Sequence, residues 1–441
     1  MARTAVRATV VIRKLTSASW CTPALGTEIA LRPKAPMAEN PKLLPQLAEA
    51  RAQTDLLFQH LDPAALYGRP IAERHRMVFY LGHLEAFDWN QMKHTGMHSA
   101  SPNPEFDSLF ALGIDPEPGR LPHDQPSDWP KLPEILSYNQ GVRNTIDSFL
   151  PQVSADTIQM MIEHRHMHAE TFAYILHNLE FEKKRGPSEP LTVTPPVYQE
   201  FVDIPSGLAT LGRDAAEGFG WDNEFRKFSV SAASFQITKF KVTNGEFLEF
   251  MKLTGARAPY YWFQQESQWF YRGMFQNFPL PLNWPVYCTW EQASDYAKFR
   301  KLLLPTEAQF HRAAFGVPDG APERELPWGN GGMDFRKQGN FGYAAWNPVA
   351  VNASPETESA FGVAQVVGNG WEWTSTVFAP FDGFEPHPTY PTYSANFFDN
   401  SHYVMKGASP RTSAALIRRS LRNWFRPEYP YVYATFHLVR N

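Results

Sequence analysis

The chain has 441 residues, 43% of them hydrophobic and 20% charged, which allows two or three ordinary folded domains. Its net charge of −4 gives no electrostatic argument for nucleic acid or for an anionic membrane. Two cysteines, Cys21 and Cys288, exclude a disulfide framework and point to a reducing cytoplasm, and no apolar run approaches the ~18 residues that span a bilayer.

Residues 1–36 are basic at Arg3, Arg7, Arg13 and Lys14 and poorly patterned. Their apolar patch at 9–12 is too short for a signal-peptide core, so a flexible extension is expected, with Met37 opening the first regular stretch. From 37 to 185 the pattern is helical. Amphipathic runs at 43–60, 71–93, 132–149 and 155–183 are separated by proline-rich breaks, and 99–133 reads as a long ordered loop. Four such helices predict a bundle, an architecture that builds metal sites from facing helices.

The fourth run carries Glu163-His164-Arg165-His166-Met167-His168-Ala169-Glu170. On a helix His164 and His168 lie one turn apart on one face, close enough to hold one cation. Two neutral imidazoles and a third ligand suit iron or zinc. Taken alone, such a pair is more often a polar face or a satisfied core pair. His166 is turned to another face.

Residues 186–197, with Gly186-Pro187-Ser188-Glu189-Pro190 and Thr194-Pro195-Pro196, read as a linker. Beyond them, 198–441 shows short strand-like pieces, many Gly and Asn turns, and helices at 244–253, 290–300 and 306–314. The fold class expected is α+β, a helical bundle followed by a loop-rich mixed domain.

Several blocks carry a resemblance. Val242-Thr243-Asn244-Gly245-Glu246-Phe247, Trp284-Pro285-Val286, Leu304-Pro305-Thr306-Glu307, Pro327-Trp328-Gly329-Asn330, Gly368-Asn369-Gly370-Trp371-Glu372-Trp373-Thr374 and Lys406-Gly407-Ala408-Ser409 occur in this order. They resemble the formylglycine-generating-enzyme-like domain, whose fold is related to C-type lectins, over nearly all of 198–441. Formylglycine generation uses a close pair of cysteines, and Cys288 stands alone here, so that activity is not expected. Trp371 and Trp373 read as buried core.

A DinB-like four-helix bundle ahead of this domain resembles the ergothioneine-type sulfoxide synthases, non-haem iron(II) enzymes that use O2 to attach sulfur to the imidazole of hercynine (trimethylhistidine). The resemblance implies Fe(2+) held by His83, in Leu81-Gly82-His83, with His164 and His168. It implies that Asn423 and Trp424 of Arg422-Asn423-Trp424 help form the hercynine pocket, where an aromatic face suits a trimethylammonium. Tyr390 or Tyr393 would be the catalytic tyrosine, and Glu170 either orients a ligand histidine or lies on the surface.

The departures bear on the second substrate. Phe425 and Tyr429 stand where relatives using γ-glutamylcysteine carry an Asp and an Arg, and Met167 replaces a Gln. A more apolar pocket fits a neutral selenosugar, and the run at 79–90 resembles the selenoneine synthase branch. The expected function is therefore O2-dependent carbon–selenium bond formation between hercynine and a selenosugar. Three alternatives stand beside it: carbon–sulfur bond formation with cysteine, a zinc-dependent DinB-type thiol transferase, and a lectin-like binding module with structural histidines. The partners expected are small molecules (hercynine, a selenosugar or thiol, and O2), with no nucleic acid and no membrane.

Overall fold

Helices dominate the first part of the chain because its apolar residues recur at helical spacing and its ends are capped. The computed structural model describes residues 40–111, 121–192, 194–195, 197–318, 321–331 and 338–441; the extension expected at 1–36 lies outside them. Five helices come first: α1 (Asn40–Gln59), α2 (Met77–Lys93), α3 (Pro104–Leu109), α4 (Leu132–Phe149) and α5 (Ala155–His177). α1 packs on α5, and α2 packs on both α4 and α5.

α5 opens on Ser154, whose hydroxyl accepts from the Thr157 amide, with Asp156 in the first turn, where an acidic group complements the helix dipole. It stops at His177, short of the 183 expected. Lys184 folds back there and donates to the carbonyls of Leu176 and His177 at 3.1 and 2.7 Å, satisfying acceptors that a longer helix would have paired internally. α2 begins six residues later than its apolar pattern, and 71–76 turn instead. The stretch expected to be only loop contains α3, started by Asn103 capping two amides ahead of Pro104. Six residues are too few to leave a periodic signal.

The described residues of the second part contain twelve strands: β1 (Phe201–Ile204), β2 (Gly207–Leu211), β3 (Phe228–Ala232), β4 (Phe235–Thr238), β5 (Trp262–Gln265), β6 (Gln268–Arg272), β7 (Asn277–Pro279), β8 (Gly370–Val377), β9 (Tyr403–Ala408), β10 (Asn423–Phe425), β11 (Ala434–Thr435) and β12 (Val439–Arg440). Among the described residues they form four small sheets, ordered β1-β4-β12, β10-β9-β8-β11, β2-β3 and β5-β6-β7. All pairings are antiparallel except β11 on β8. The helices α6 (Asn244–Thr254), α7 (Trp290–Arg300) and α8 (Glu307–Phe315) each start from a threonine, Thr243, Thr289 or Thr306, in a reciprocal cap with Glu246, Gln292 or Gln309. Such caps satisfy two orphan donors at once and fix where each helix begins. The fold is thus α+β.

One hydrophobic cluster runs from Leu47 in α1 through α2, α4 and α5 to Leu438, so the helical part and the sheets share a core. No described helix is long and apolar enough to cross a membrane.

Candidate metal centre

α5 is bonded on both sides, and this double attachment positions the site. On one side Arg165, fully buried, donates to Asp88 at 3.0 Å and to Glu85 at 3.1 Å, both on α2. Arg143 of α4 adds a bond to Glu85 at 2.8 Å. Burial pushes Glu85 upward, but the two guanidinium groups outweigh it and hold the carboxyl at about 2. For Asp88 burial prevails over Arg165, and the carboxyl is pushed up to about 6. The network sets α2 and α5 in register, so that His83 on α2 faces His164 and His168 on α5.

One nitrogen from each of these three rings lies within 4.8 Å of the others. His83 Nδ1 is 2.6 Å from the Phe110 carbonyl. A carbonyl only accepts, so Nδ1 carries the proton and Nε2 presents its lone pair. That Nε2 is 3.2 Å from His168 Nε2. Nitrogens about 2.1 Å from one ion, at angles of roughly 90–110°, lie about 3.0–3.4 Å apart. Both nitrogens of His164 and Nδ1 of His168 are buried without a hydrogen-bond partner, a penalty that a bound cation relieves at the ligating atoms. Burial keeps all three rings neutral: His83 is lowered to about 4, and His164 and His168 well below the usual histidine value. Neutral imidazoles with exposed lone pairs fit a first-row divalent metal.

Phe110 reaches His83 because of Gly82. A Cβ at that position would sit 2.5 Å from the Phe110 ring, so the glycine admits the ring and, with it, the carbonyl that fixes the tautomer.

An aromatic cluster adjoins the histidines. Phe87 stacks on His164 at 3.4 Å and 9°. The Tyr390 ring lies 5.4 Å from Phe87 and 6.4 Å from His164. Tyr393 stacks on Trp221 at 4.0 Å, stands edge-on to Trp424 at 5.5 Å, and donates its hydroxyl to Met167 Sδ at 3.3 Å. Burial raises the Tyr393 phenol well above its ordinary value. Trp424 lies flat on Phe378 at 4.2 Å. Asn423 Oδ1 accepts from the Trp424 amide at 2.8 Å. Phe425 and Tyr429 stack on each other at 4.9 Å, and Tyr429 Oη accepts from Arg74 Nε at 2.9 Å. Tyr390 thus lies beside His164, with Tyr393 and Met167 next to it and Trp424 one ring further out, while Phe425 and Tyr429 form a separate stack beside Arg74, a group whose charge also helps depress His168.

Glu170 corrects the sequence reading. It neither orients a ligand nor faces solvent. Its Oε1 accepts from Trp371 Nε1 at 2.7 Å and Ser409 at 2.5 Å, and its Oε2 from Thr412 at 2.8 Å. Two residues along a helix is a rotation of about 200°, which turns Glu170 away from the ligand face. Glu163 bonds the same way to the second part, accepting from both Arg418 Nη groups and from Trp221 Nε1. Trp371 and Trp373 are buried as expected, and Glu372 between them pairs with Lys241 and His437.

Sequence reasoning missed Phe87, Arg165, Phe110 and Trp221. Phe87 was within reach, four residues from His83 on one helix face. Arg165 with Glu85 and Asp88 also left a trace, as charges inside otherwise apolar helices. Phe110 and Trp221 lie in irregular chain and left none.

Residues 188–441 match the sulfatase-modifying factor enzyme 1-like domain family. The chain belongs to that family. The relatives of this sulfatase-modifying factor enzyme 1-like chain extend further, reaching into the helices ahead of residue 188. Ergothioneine biosynthesis protein 1 of Neurospora crassa is 24% identical over 87% of this chain and 56% of its own length. The Schizosaccharomyces pombe protein of the same name is 26% identical over 86% and 54%. Hercynine oxygenase of Mycolicibacterium smegmatis is 29% identical over 89% of this chain and 96% of its own length. The chain therefore spans about half the length of the two fungal relatives and nearly all of the bacterial one.

Proposed function

We propose that this protein is an iron(II)-dependent enzyme that uses O2 to join the imidazole of hercynine to a chalcogen donor, and that the donor is a neutral selenosugar. The observation that carries the reading is the convergence of three neutral, buried imidazoles beside a cluster of aromatic side chains that extends through Tyr390 and Tyr393 to Trp424. Relatives named for hercynine and ergothioneine support the choice of hercynine. On the same reading the helical part is DinB-like, the domains run 37–185 and 198–441 with a linker at 186–197, and the protein is cytoplasmic.

His83, His164 and His168 would hold the metal. Iron(II) held there would supply the redox chemistry between the donor's selenol and O2. The residues of the chain do the rest. Trp424, backed by Phe378, and Tyr393, backed by Trp221, offer electron-rich faces to a trimethylammonium. Phe87 fixes the His164 ring. Tyr390, whose ring lies beside that of His164, supplies a proton from its phenol. The stoichiometry closes: one imidazole C–H and one Se–H are lost, a C–Se bond forms, and O2 takes four electrons. One of its oxygens ends on selenium and the other in water.

The choice of donor rests on the stacked pair Phe425 and Tyr429, which presents aromatic surface and a phenol already bonded to Arg74. Neither ring offers an ionic partner to the ammonium end of a zwitterionic peptide, although Arg74 beside them could take its carboxylate, and an unpaired buried charge is costly. The second reading, carbon–sulfur bond formation with cysteine, is favoured by the names of the relatives. Product mass spectrometry of the iron-loaded protein with hercynine, O2 and either a selenosugar or cysteine separates the two. A seleno-adduct from the sugar with little product from cysteine is expected. Efficient sulfoxide formation from cysteine would overturn the donor, and zinc content with O2-independent turnover would overturn the class. Tyr390→Phe is expected to lower kcat with little change in the KM for hercynine.

A further inference from the structure

The segment that carries Tyr390 and Tyr393 has little backbone pairing of its own. It lies between β8 and β9, where the chain forms no strand, and Pro388 and Pro391 remove two amide donors. Its internal bonds are tight turns, from the Tyr390 amide to the His387 carbonyl and from the Tyr393 amide to the Tyr390 carbonyl, both at 3.1 Å. Such a run is placed by whatever holds its ends. One carboxylate holds both. Asp222 Oδ2 accepts from the His387 amide at 3.3 Å, and Oδ1 accepts from the Ser394 hydroxyl at 2.5 Å. Asp222 and Ser394 are both buried, where a lost partner is expensive.

The short helical turn that carries this carboxylate, Asp222–Glu224, is itself fastened to the ligand helix. Trp221, just ahead of it, donates Nε1 to Glu163 at 2.9 Å, one residue before His164. Arg418 bridges Glu163 and Glu224. On its other side the tyrosine segment meets α2, where Gln91 Nε2 donates to the Thr389 carbonyl at 3.4 Å and the Phe87 ring stands against Tyr390.

We propose that Asp222 is a positioning residue for the metal centre: it clamps residues 387 and 394, the two flanks of Tyr390, to a turn fixed on α5, and so sets that phenol relative to His164. The inference rests on the reading of Tyr390 as the proton donor. Asp222 acts through the backbone and hydroxyl of its neighbours, not on the reacting atoms. The role needs two polar atoms on one planar group more than it needs charge. An asparagine can keep both bonds, its carbonyl oxygen taking the His387 amide and its amide donating to a Ser394 hydroxyl turned to accept. Alanine keeps neither.

Steady-state kinetics on the iron-loaded protein, with hercynine, O2 and whichever chalcogen donor supports turnover, test the role. Asp222→Ala is expected to lower kcat by about ten- to hundredfold, the scale of loss that follows from misplacing a group by about 1 Å. The KM for hercynine should rise far less, because Tyr393 keeps its own stack on Trp221, and iron content should not change. Asp222→Asn is expected to recover most of the lost kcat. In a Tyr390→Phe background Asp222→Ala should cost nothing further, since no phenol is left to place. A second loss of the same size in that background, or a defect confined to KM, would overturn the proposal. Should Asp222→Ala fail to fold, Ser394→Ala releases one flank only and is expected to lower kcat less, and an unchanged kcat would count against the clamp. Crystals of whichever variant folds give a readout independent of turnover: residues 387–394 are expected to shift relative to α5, and an unmoved segment would overturn the assignment. If Tyr390→Phe kept full kcat, the proton-donor reading would fall, while a shifted segment in those crystals would leave the clamp standing.

Discussion

Glu170 directs both carboxylate oxygens away from its own helical neighbours, toward Trp371, Ser409 and Thr412 more than two hundred residues along the chain. Glu170→Ala would leave three buried donors without an acceptor, and destabilisation of about 2–4 kcal/mol is expected in urea unfolding. Glu170→Gln keeps one acceptor oxygen for Trp371 and Ser409, and the Thr412 hydroxyl can turn to accept from the new amide, so a much smaller loss is expected. Iron content should be unchanged in the Gln variant. A ten- to hundredfold loss of metal affinity, the usual effect of removing a group that orients a ligand, would contradict the assignment. The direction of this residue was legible in its spacing, since a position two away from a ligand cannot share the ligand's face. Its partners were not legible, because the sequence has no periodicity that links 170 to 371 or 412.

At the scale of elements, α2 is set against α5 by one guanidinium and against Phe110, at the end of α3, by one glycine. Arg165→Met would strand Asp88 and leave Glu85 with Arg143 alone, and a cost of about 3–5 kcal/mol is expected from equilibrium unfolding. Gly82→Ala tests the other contact. Alanine is the better helix former by about 1 kcal/mol, yet its methyl would collide with the Phe110 ring. Overpacking of that kind costs about 1–3 kcal/mol. Displacing Phe110 also removes the carbonyl from His83, so iron titration is expected to show affinity lower by about tenfold or more. The helices themselves could be read from the sequence because their period marks them: α4 runs from 132 to 149 and α7 from 290 to 300 as expected. The facing of His83 toward His164 and His168 is long-range packing, and only the family resemblance brought the three together. The aromatic cluster was half legible. Tyr390, Tyr393, Met167 and Trp424 stood out as residue types at matching places, while Phe87 and Trp221, which hold those groups in position, are core side chains with no motif of their own.

For the whole molecule, the junction between helices and sheets carries a titratable group of its own. His177 stacks on Tyr261 at 4.4 Å, donates from Nε2 to the Arg272 carbonyl at 2.9 Å, and accepts at Nδ1 from Tyr433 at 3.1 Å. Burial, reinforced by Lys184, lowers it well below the ordinary histidine value of 6.5. Below pH 6.5 the unfolded chain therefore binds a proton here that the folded chain does not. Stability is lost as pH falls through that value, by about 1.4 kcal/mol per unit for this one group. Replacing it by Gln is expected to flatten the slope of urea stability between pH 6.5 and 5 by about one proton, and an unaltered slope would contradict the assignment.

The ligand helix, held from both sides, bears on how such a protein can change by descent. The composition of 186–197 invites a cut, as though bundle and sheet domain could be exchanged with foreign counterparts. Yet a transplanted bundle would arrive with the carboxylates of Glu163 and Glu170 facing a stranger's surface, where Arg418, Trp221, Trp371 and Thr412 have no equivalents. The two parts are free to diverge in sequence but not to part company, so new substrate preferences are expected to arise by substitution along their shared face rather than by trading one part for another.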